Sequence, residues 1–133
     1  MSNVDTTHCT SPEELAELYP RLLSERRFDD WAGLFAEGAI ITRVEAGAPT
    51  RIQSVAAALP EQIEYGEENR NFVESWRDVS IVRTGNLAVV TAHYVLDVDH
   101  ETRRGVDILT LVGDRRGWRI ASLAYQQHEL LAK

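Results

Sequence analysis

Apolar spacings of three and four residues prevail up to Ile63, interrupted by one β-branched run, and from Phe72 onward apolar residues fall into extended runs broken by turn residues. Ser11-Pro12-Glu13-Glu14 has the form of a helix start, with a capping serine, proline in the first turn and a glutamate three residues on that completes a capping box. Leu15, Leu18, Tyr19, Leu22 and Leu23 follow as one apolar stripe, and Glu13, Glu17, Arg21 and Glu25 face outward. Pro20 removes a backbone bond from this helix and predicts a bend near Tyr19. Phe28-Asp29-Asp30-Trp31 restarts a helix of about two turns, capped by an aspartate, with Trp31, Leu34 and Phe35 inward and Gly38 as its stop.

Ala39 to Val44 is a β-branched run that predicts a first strand, and Glu45 to Thr50 a loop. Residues 51–65 return to helical spacing through Ile52, Val55, Ala56, Leu59 and Ile63, with Pro60 expected to kink or divide the segment. Strands are predicted at 72–83, 87–97, 104–112 and 118–127, forming a meander. The fold class is therefore α+β: three helices packed in the concavity of a curved, mostly antiparallel sheet, making one domain over 11–133 after a flexible segment at 1–10. Leu87 to Val90 and Ile108 to Leu111 are apolar on both faces, so the convex face also needs a cover, and the simplest is a second copy of the chain.

The 133 residues fit a single domain, and a net charge of −7 with no segregated basic cluster argues against a nucleic-acid partner. One cysteine, Cys9, excludes an intrachain disulfide and fits a reducing compartment. The N-terminus has no signal-peptide pattern and no stretch is long enough to span a membrane, so a cytoplasmic, soluble protein is expected. His8, His93, His100 and His128 show no metal-ligand spacing, and no phosphate-binding loop, dinucleotide fingerprint or nucleophile elbow is present. Neither a metal nor a cofactor is expected.

Tyr19 to Val44 (YPRLLSERRFDDWAGLFAEGAIITRV), GVDILTLV at 105–112 and GWRIASLAYQQ at 117–127 resemble the ketosteroid isomerase-like and polyketide cyclase-like members of the nuclear transport factor two-like superfamily, a cystatin-like α+β cone. The likeness covers most of residues 12–127. It specifies the fold better than the reaction, since the superfamily holds isomerases, dehydratases, cyclases, epoxide hydrolases, ligand carriers and silent dimer modules. The resemblance implies a role for Tyr19, which precedes Phe35 by the family's sixteen residues, and for Asp107, which falls at the oxyanion-binding acid of the third meander strand. It places the general base eight residues after Phe35, where this chain has Arg43. An arginine cannot serve as a carboxylate base, which argues against steroid-type isomerisation in the family's form. The epoxide hydrolases' paired aspartates have no counterpart in Ser122-Leu123-Ala124-Tyr125.

The residues themselves offer a coherent chemistry. A carboxyl inside the apolar run Val106 to Val112 is costly to ionise, so Asp107 is either a neutral hydrogen-bond donor or a paired structural residue. Tyr19 is the second candidate donor for a developing oxyanion, or a core tyrosine with its hydroxyl at the rim. Arg43 either binds an anionic group, pairs with Asp107 or Glu45, or lies solvated at a strand end, and Glu45 is the nearest carboxylate to replace the base. Strand parity puts Leu123, Tyr125 and Gln127 on one face of the last strand, and Ala88, Val90, Ala92 and Tyr94 on one face of the second meander strand, with His93 opposite. Trp31 and Trp76 are candidate aromatic walls or packing. The expected activity is cofactor-free proton transfer (isomerisation, dehydration or cyclisation) on a small apolar molecule bearing a carbonyl or hydroxyl. The alternative is a ligand-binding or homodimerisation module without catalysis, and a further one, implied by the resemblance, is an epoxide hydrolase-type activity.

Overall fold

The computed structural model describes residues 9–133. Its elements run α1 (Pro12–Ser24), α2 (Phe28–Ala32), β1 (Phe35–Glu45), β2 (Arg51–Ser54), α3 (Val55–Glu67), β3 (Phe72–Thr84), β4 (Leu87–Val98), β5 (Glu101–Asp114) and β6 (Gly117–Ala132). One six-stranded sheet has the order β2-β1-β6-β5-β4-β3, with β1 parallel to β6 and the other neighbours antiparallel. The sheet is curved but not closed, which makes β2 and β3 its edges. The expected α+β architecture is present, and none of its described helices is long and apolar enough to cross a membrane.

α1 begins as its sequence dictates. Ser11 Oγ accepts from the Glu14 N–H at 3.1 Å, and Glu14 Oε1 accepts from the Thr10 N–H at 2.7 Å, one residue further out than a capping box requires. Leu15, Tyr19, Leu22 and Leu23 are buried along one side, as the stripe predicts. Pro20, expected to bend its helix, and Pro60, expected to kink or divide its segment, both lie within continuous helices. Packing of the apolar faces outweighs the single backbone bond that each proline removes.

α2 corrects the expected boundaries. It is five residues long, has Arg27 rather than an aspartate at its N-cap, and ends at Gly33. Gly38 sits inside β1 at φ 82°, where the pairing with β6 shifts register between Phe35 and Ile40. A glycine with positive φ serves a strand bulge as well as a helix stop. The strand β2, read as the start of a helix, pairs with β1 through Ile40 to Arg43, and α3 starts only after it, at Ser54 Oγ accepting from Ala57 N at 3.1 Å. Cys9, expected in an unstructured segment, is buried, and its carbonyl accepts from Trp118 N at 2.8 Å; residues 1–8 lie outside the described residues.

Along the meander, alternate residues take opposite faces as a pleated strand requires. Ala88, Val90, Ala92 and Tyr94 are buried while His93 is exposed. Antiparallel register sets Asp107 between Ala92 of β4 and Tyr125 of β6, and Tyr125 is in turn beside Arg43 of β1. This row crosses the concave face where its apolar packing gives way to a hollow.

Candidate active site

The hollow has a volume of about 340 Å³ and opens between the helices and the concave face. Tyr19, Trp31, Glu74, Tyr94, Asp107 and Tyr125 supply its chemically active lining. Tyr19 projects from the buried stripe of α1, with its ring stacked on Trp76 (4.8 Å between centroids, 23° between planes) and edge-on to Trp31 at 6.2 Å. Gly105 leaves the space that Tyr94 needs, because a β-carbon there would stand 2.7 Å from the Tyr94 hydroxyl oxygen and 2.0 Å from the Gln126 carbonyl oxygen. Tyr94 therefore lies across the strand and meets Tyr125 edge-on at 6.3 Å.

Asp107 is 4% exposed. Trp76 Nε1 donates to Asp107 Oδ2 at 3.0 Å and also to Glu74 Oε2 at 3.2 Å. Burial pushes the Asp107 carboxyl up to about 7, against the opposing pull of the Trp76 hydrogen bond. Glu74 is driven well above the usual carboxylate range, first by burial and then by the neighbouring Asp107 charge. Tyr19 is held far above its ordinary value by burial and by the charges of Asp107 and Glu74. Its hydroxyl makes no direct hydrogen bond to Asp107. The two groups share the cavity instead. Trp31 Nε1 is buried without a partner of hydrogen-bonding geometry, although it lies near enough to the Tyr19 oxygen to favour the phenolate.

Toward the mouth, Arg43, Tyr125 and Gln127 line the hollow, and Leu123 closes part of its floor. Arg43 Nη2 meets Glu45 Oε2 at 2.9 Å. Glu45, expected as a replacement base, is not among the lining residues; its carboxylate faces the Arg43 guanidinium, its neighbour on the same side of β1. Trp76 likewise stands behind the lining, as the donor that organises two carboxyls. Among the described residues no three histidine, cysteine, aspartate or glutamate side chains gather as a metal ion requires.

Among the lining residues that escaped the sequence reading are Glu74, Arg103 and Tyr65. Glu74 alternates with Phe72 and Trp76, a parity that turns it inward with two aromatic neighbours. Arg103 shares the parity of Gly105 and Asp107, and Tyr65 follows Ala58 and Gln62 along one face of α3. Their side chains form one cluster: Arg103 lies over the Tyr65 ring at 5.0 Å, and both bond to Glu101.

No protein-family model matches the chain, and no curated protein does. Solved structures do match. A candidate scytalone dehydratase from Novosphingobium aromaticivorans superposes with a TM-score of 0.76 at 14% identity, over 91% of this chain and 84% of that one. A candidate dehydratase of the nuclear transport factor two-like family from Streptomyces avermitilis gives 0.65 at 15%, over 86% and 92%. The chain has the nuclear transport factor two-like fold. The same fold is matched in the β subunit of a candidate aromatic-ring-hydroxylating dioxygenase from N. aromaticivorans, with a TM-score of 0.71 at 14% identity over 88% and 86%. Proteins of the nuclear transport factor two-like fold thus share this chain's backbone under different names, and its chemistry must be argued from its own cavity.

Proposed function

We propose that the protein is a proton-transfer enzyme acting on a small, largely apolar molecule that carries a carbonyl or hydroxyl group. One observation carries this reading: Asp107 is buried beside the cavity with an indole N–H as its hydrogen-bond donor and, among the described residues, no basic side chain in an ion pair with it. Such a carboxyl changes protonation near neutral pH, where a catalytic acid or base is most effective. Tyr19 adds a donor for charge that develops on a substrate oxygen, in a hollow walled by aromatic rings. A volume of about 340 Å³ suits a small-molecule site and leaves room beyond the side chains. Isomerisation, dehydration and cyclisation all begin with such a proton shift, and the two neighbours named as candidate dehydratases fit that class.

The convex face suits a second copy of the chain. Val89, Ile108 and Ile40 are each more than two-fifths exposed there, and Thr91, Thr110, Ser122 and Ala124 fill the positions between them without a charge.

The test uses 2-tetralone, a bicyclic ketone with acidic α-protons. The protein should accelerate exchange of those protons in deuterium oxide, followed by proton NMR. Asp107→Asn and Tyr19→Phe should each slow that exchange by about a hundredfold. Exchange that both variants support at the wild-type rate defeats the reading.

A further inference from the structure

Proton transfer between carbon and oxygen needs a group that accepts a proton and one that gives a proton or hydrogen bond, and Arg43 occupies the position where the resemblance places the acceptor. Three carboxylates line the cavity: Glu61, Glu74 and Asp107. Glu61 is half exposed and paired with Arg51 at 2.5 Å. We infer that Glu74 and Asp107 form a single catalytic pair holding one proton between them, its ionised member taking a proton from the substrate while its protonated member bonds to the adjacent substrate oxygen. This rests on the proton-transfer reading above and adds Glu74 to it.

Geometry supports the pair independently of any substrate. Both carboxyl oxygens lie within 3.2 Å of Trp76 Nε1, so one N–H serves two acids. Among the described residues no arginine, lysine or histidine forms an ion pair with either. Two carboxylates so close together, with a single neutral donor and no cation, cannot both ionise without a large penalty. The titratable groups that feel the charge of the pair are Tyr19 from α1 and Tyr94 from β4, which both acids push up, and Tyr125 from β6, which Asp107 pushes up. Arg103 and Arg43 stand toward the mouth, beside Tyr125 and bonded to Glu101 and Glu45. The upward displacement of both acids, by burial and for Glu74 also by the Asp107 charge, agrees with a shared proton.

Glu74 is also held in place. β3 is an edge strand, whose outward backbone groups would otherwise have only solvent to bond. At Glu74 the Ser24 hydroxyl at the end of α1 takes both, accepting from Glu74 N at 2.9 Å and donating to Glu74 O at 3.0 Å. The Trp76 indole between the acids is fixed in turn by its stack on Tyr19. A serine, an indole and a phenol thus orient one glutamate, an arrangement suited to a preorganised reacting group.

The step balances within these residues. An α C–H bond of the ketone breaks, its proton moves to the ionised carboxylate, and its electron pair enters the new C=C bond as carbonyl π electrons move to oxygen. That oxygen is met by the proton of the second carboxyl and by the Tyr19 hydroxyl.

Exchange of 2-tetralone decides the assignment. Glu74→Gln and Asp107→Asn should each lose about a hundredfold, and the double variant no more than either single one, as for groups that act as a unit. Glu74→Asp should recover part of the loss. Wild-type exchange in Glu74→Gln alongside loss in Asp107→Asn would overturn the pair yet leave a single-acid enzyme standing; wild-type exchange in both defeats both readings. A second readout needs no turnover. In protein with ¹³C-labelled carboxyls, Asp107→Asn should move the Glu74 midpoint to lower pH, because the charge that raised it is gone. A midpoint that stays where it was overturns the pair.

Discussion

The concave face of the sheet has two ends built from the same strands, and they do opposite things. At one end Val90, Leu109, Leu111 and Ile120 are fully buried against the helices. At the other, Asp107, Tyr94, Tyr125 and Glu74 surround a hollow. Leu109 and Asp107 are neighbours on one face of β5, yet the first is close-packed and the second is a carboxyl held out of water. The apolar end stabilises the fold, and the cavity end draws on that stability to keep ionisable groups dry.

Truncating the apolar end gives the largest effect. Leu109→Ala should destabilise the protein by roughly 3–5 kcal/mol, through lost burial and the void left in a rigid layer. Urea unfolding monitored by tryptophan fluorescence measures this, and a cost below about 1 kcal/mol would show that the layer collapses around the gap.

Two residues away the sign reverses. The Asp107 carboxyl sits at about 7 in the folded protein, against 3.8 ordinarily. The folded state therefore holds its proton more tightly than the unfolded one, and stability falls as pH rises from about 4 to about 7. Asp107→Asn cannot ionise, and its side-chain oxygen can still accept from Trp76. It should leave stability near wild type at pH 4 and raise it at pH 8, by up to roughly 4 kcal/mol. Unfolding curves at the two pH values compare directly with the exchange assay: the same substitution should stabilise the protein and silence it. An equal effect at both pH values would mean that Asp107 is not held protonated.

These two ends were unequally legible in the sequence. Spacing and parity place Leu15, Tyr19, Tyr94 and Tyr125 on their observed faces, because each choice depends on which residues share a stripe or a strand side. Depth is not encoded that way. Nothing in the alternation of β5 distinguishes a packed Leu109 from a cavity-facing Arg103; that depends on how far the helices extend over the sheet. Gly38 misled for a related reason, since helix stops and bulges both select a residue tolerant of positive φ. β2 was hidden by its length: four residues fit the front of a helix as easily as a short edge strand. Glu74 was within reach, flanked at two-residue spacing by Phe72 and Trp76, but a charged residue near a strand end reads as solvent-facing until the neighbouring strands give it a depth.

Between Leu109 and Asp107 the intervening residue points the other way. Ile108 lies on the convex face at 44% exposure, between Thr91 and Ala124 on the adjoining strands. Because it touches neither the packed layer nor the cavity, Ile108→Arg should change monomer stability by less than about 0.5 kcal/mol. If this face meets a second copy about a two-fold axis, however, every new charge enters the interface twice, and the two arginines approach one another in a patch with no acidic side chain to receive them. Sedimentation velocity should then show a dimer for the wild type and a monomer for the variant, with 2-tetralone exchange unchanged because the concave side is intact. A wild-type monomer, or a variant that still dimerises, would assign the convex face to solvent and leave the concave side alone with the chemistry.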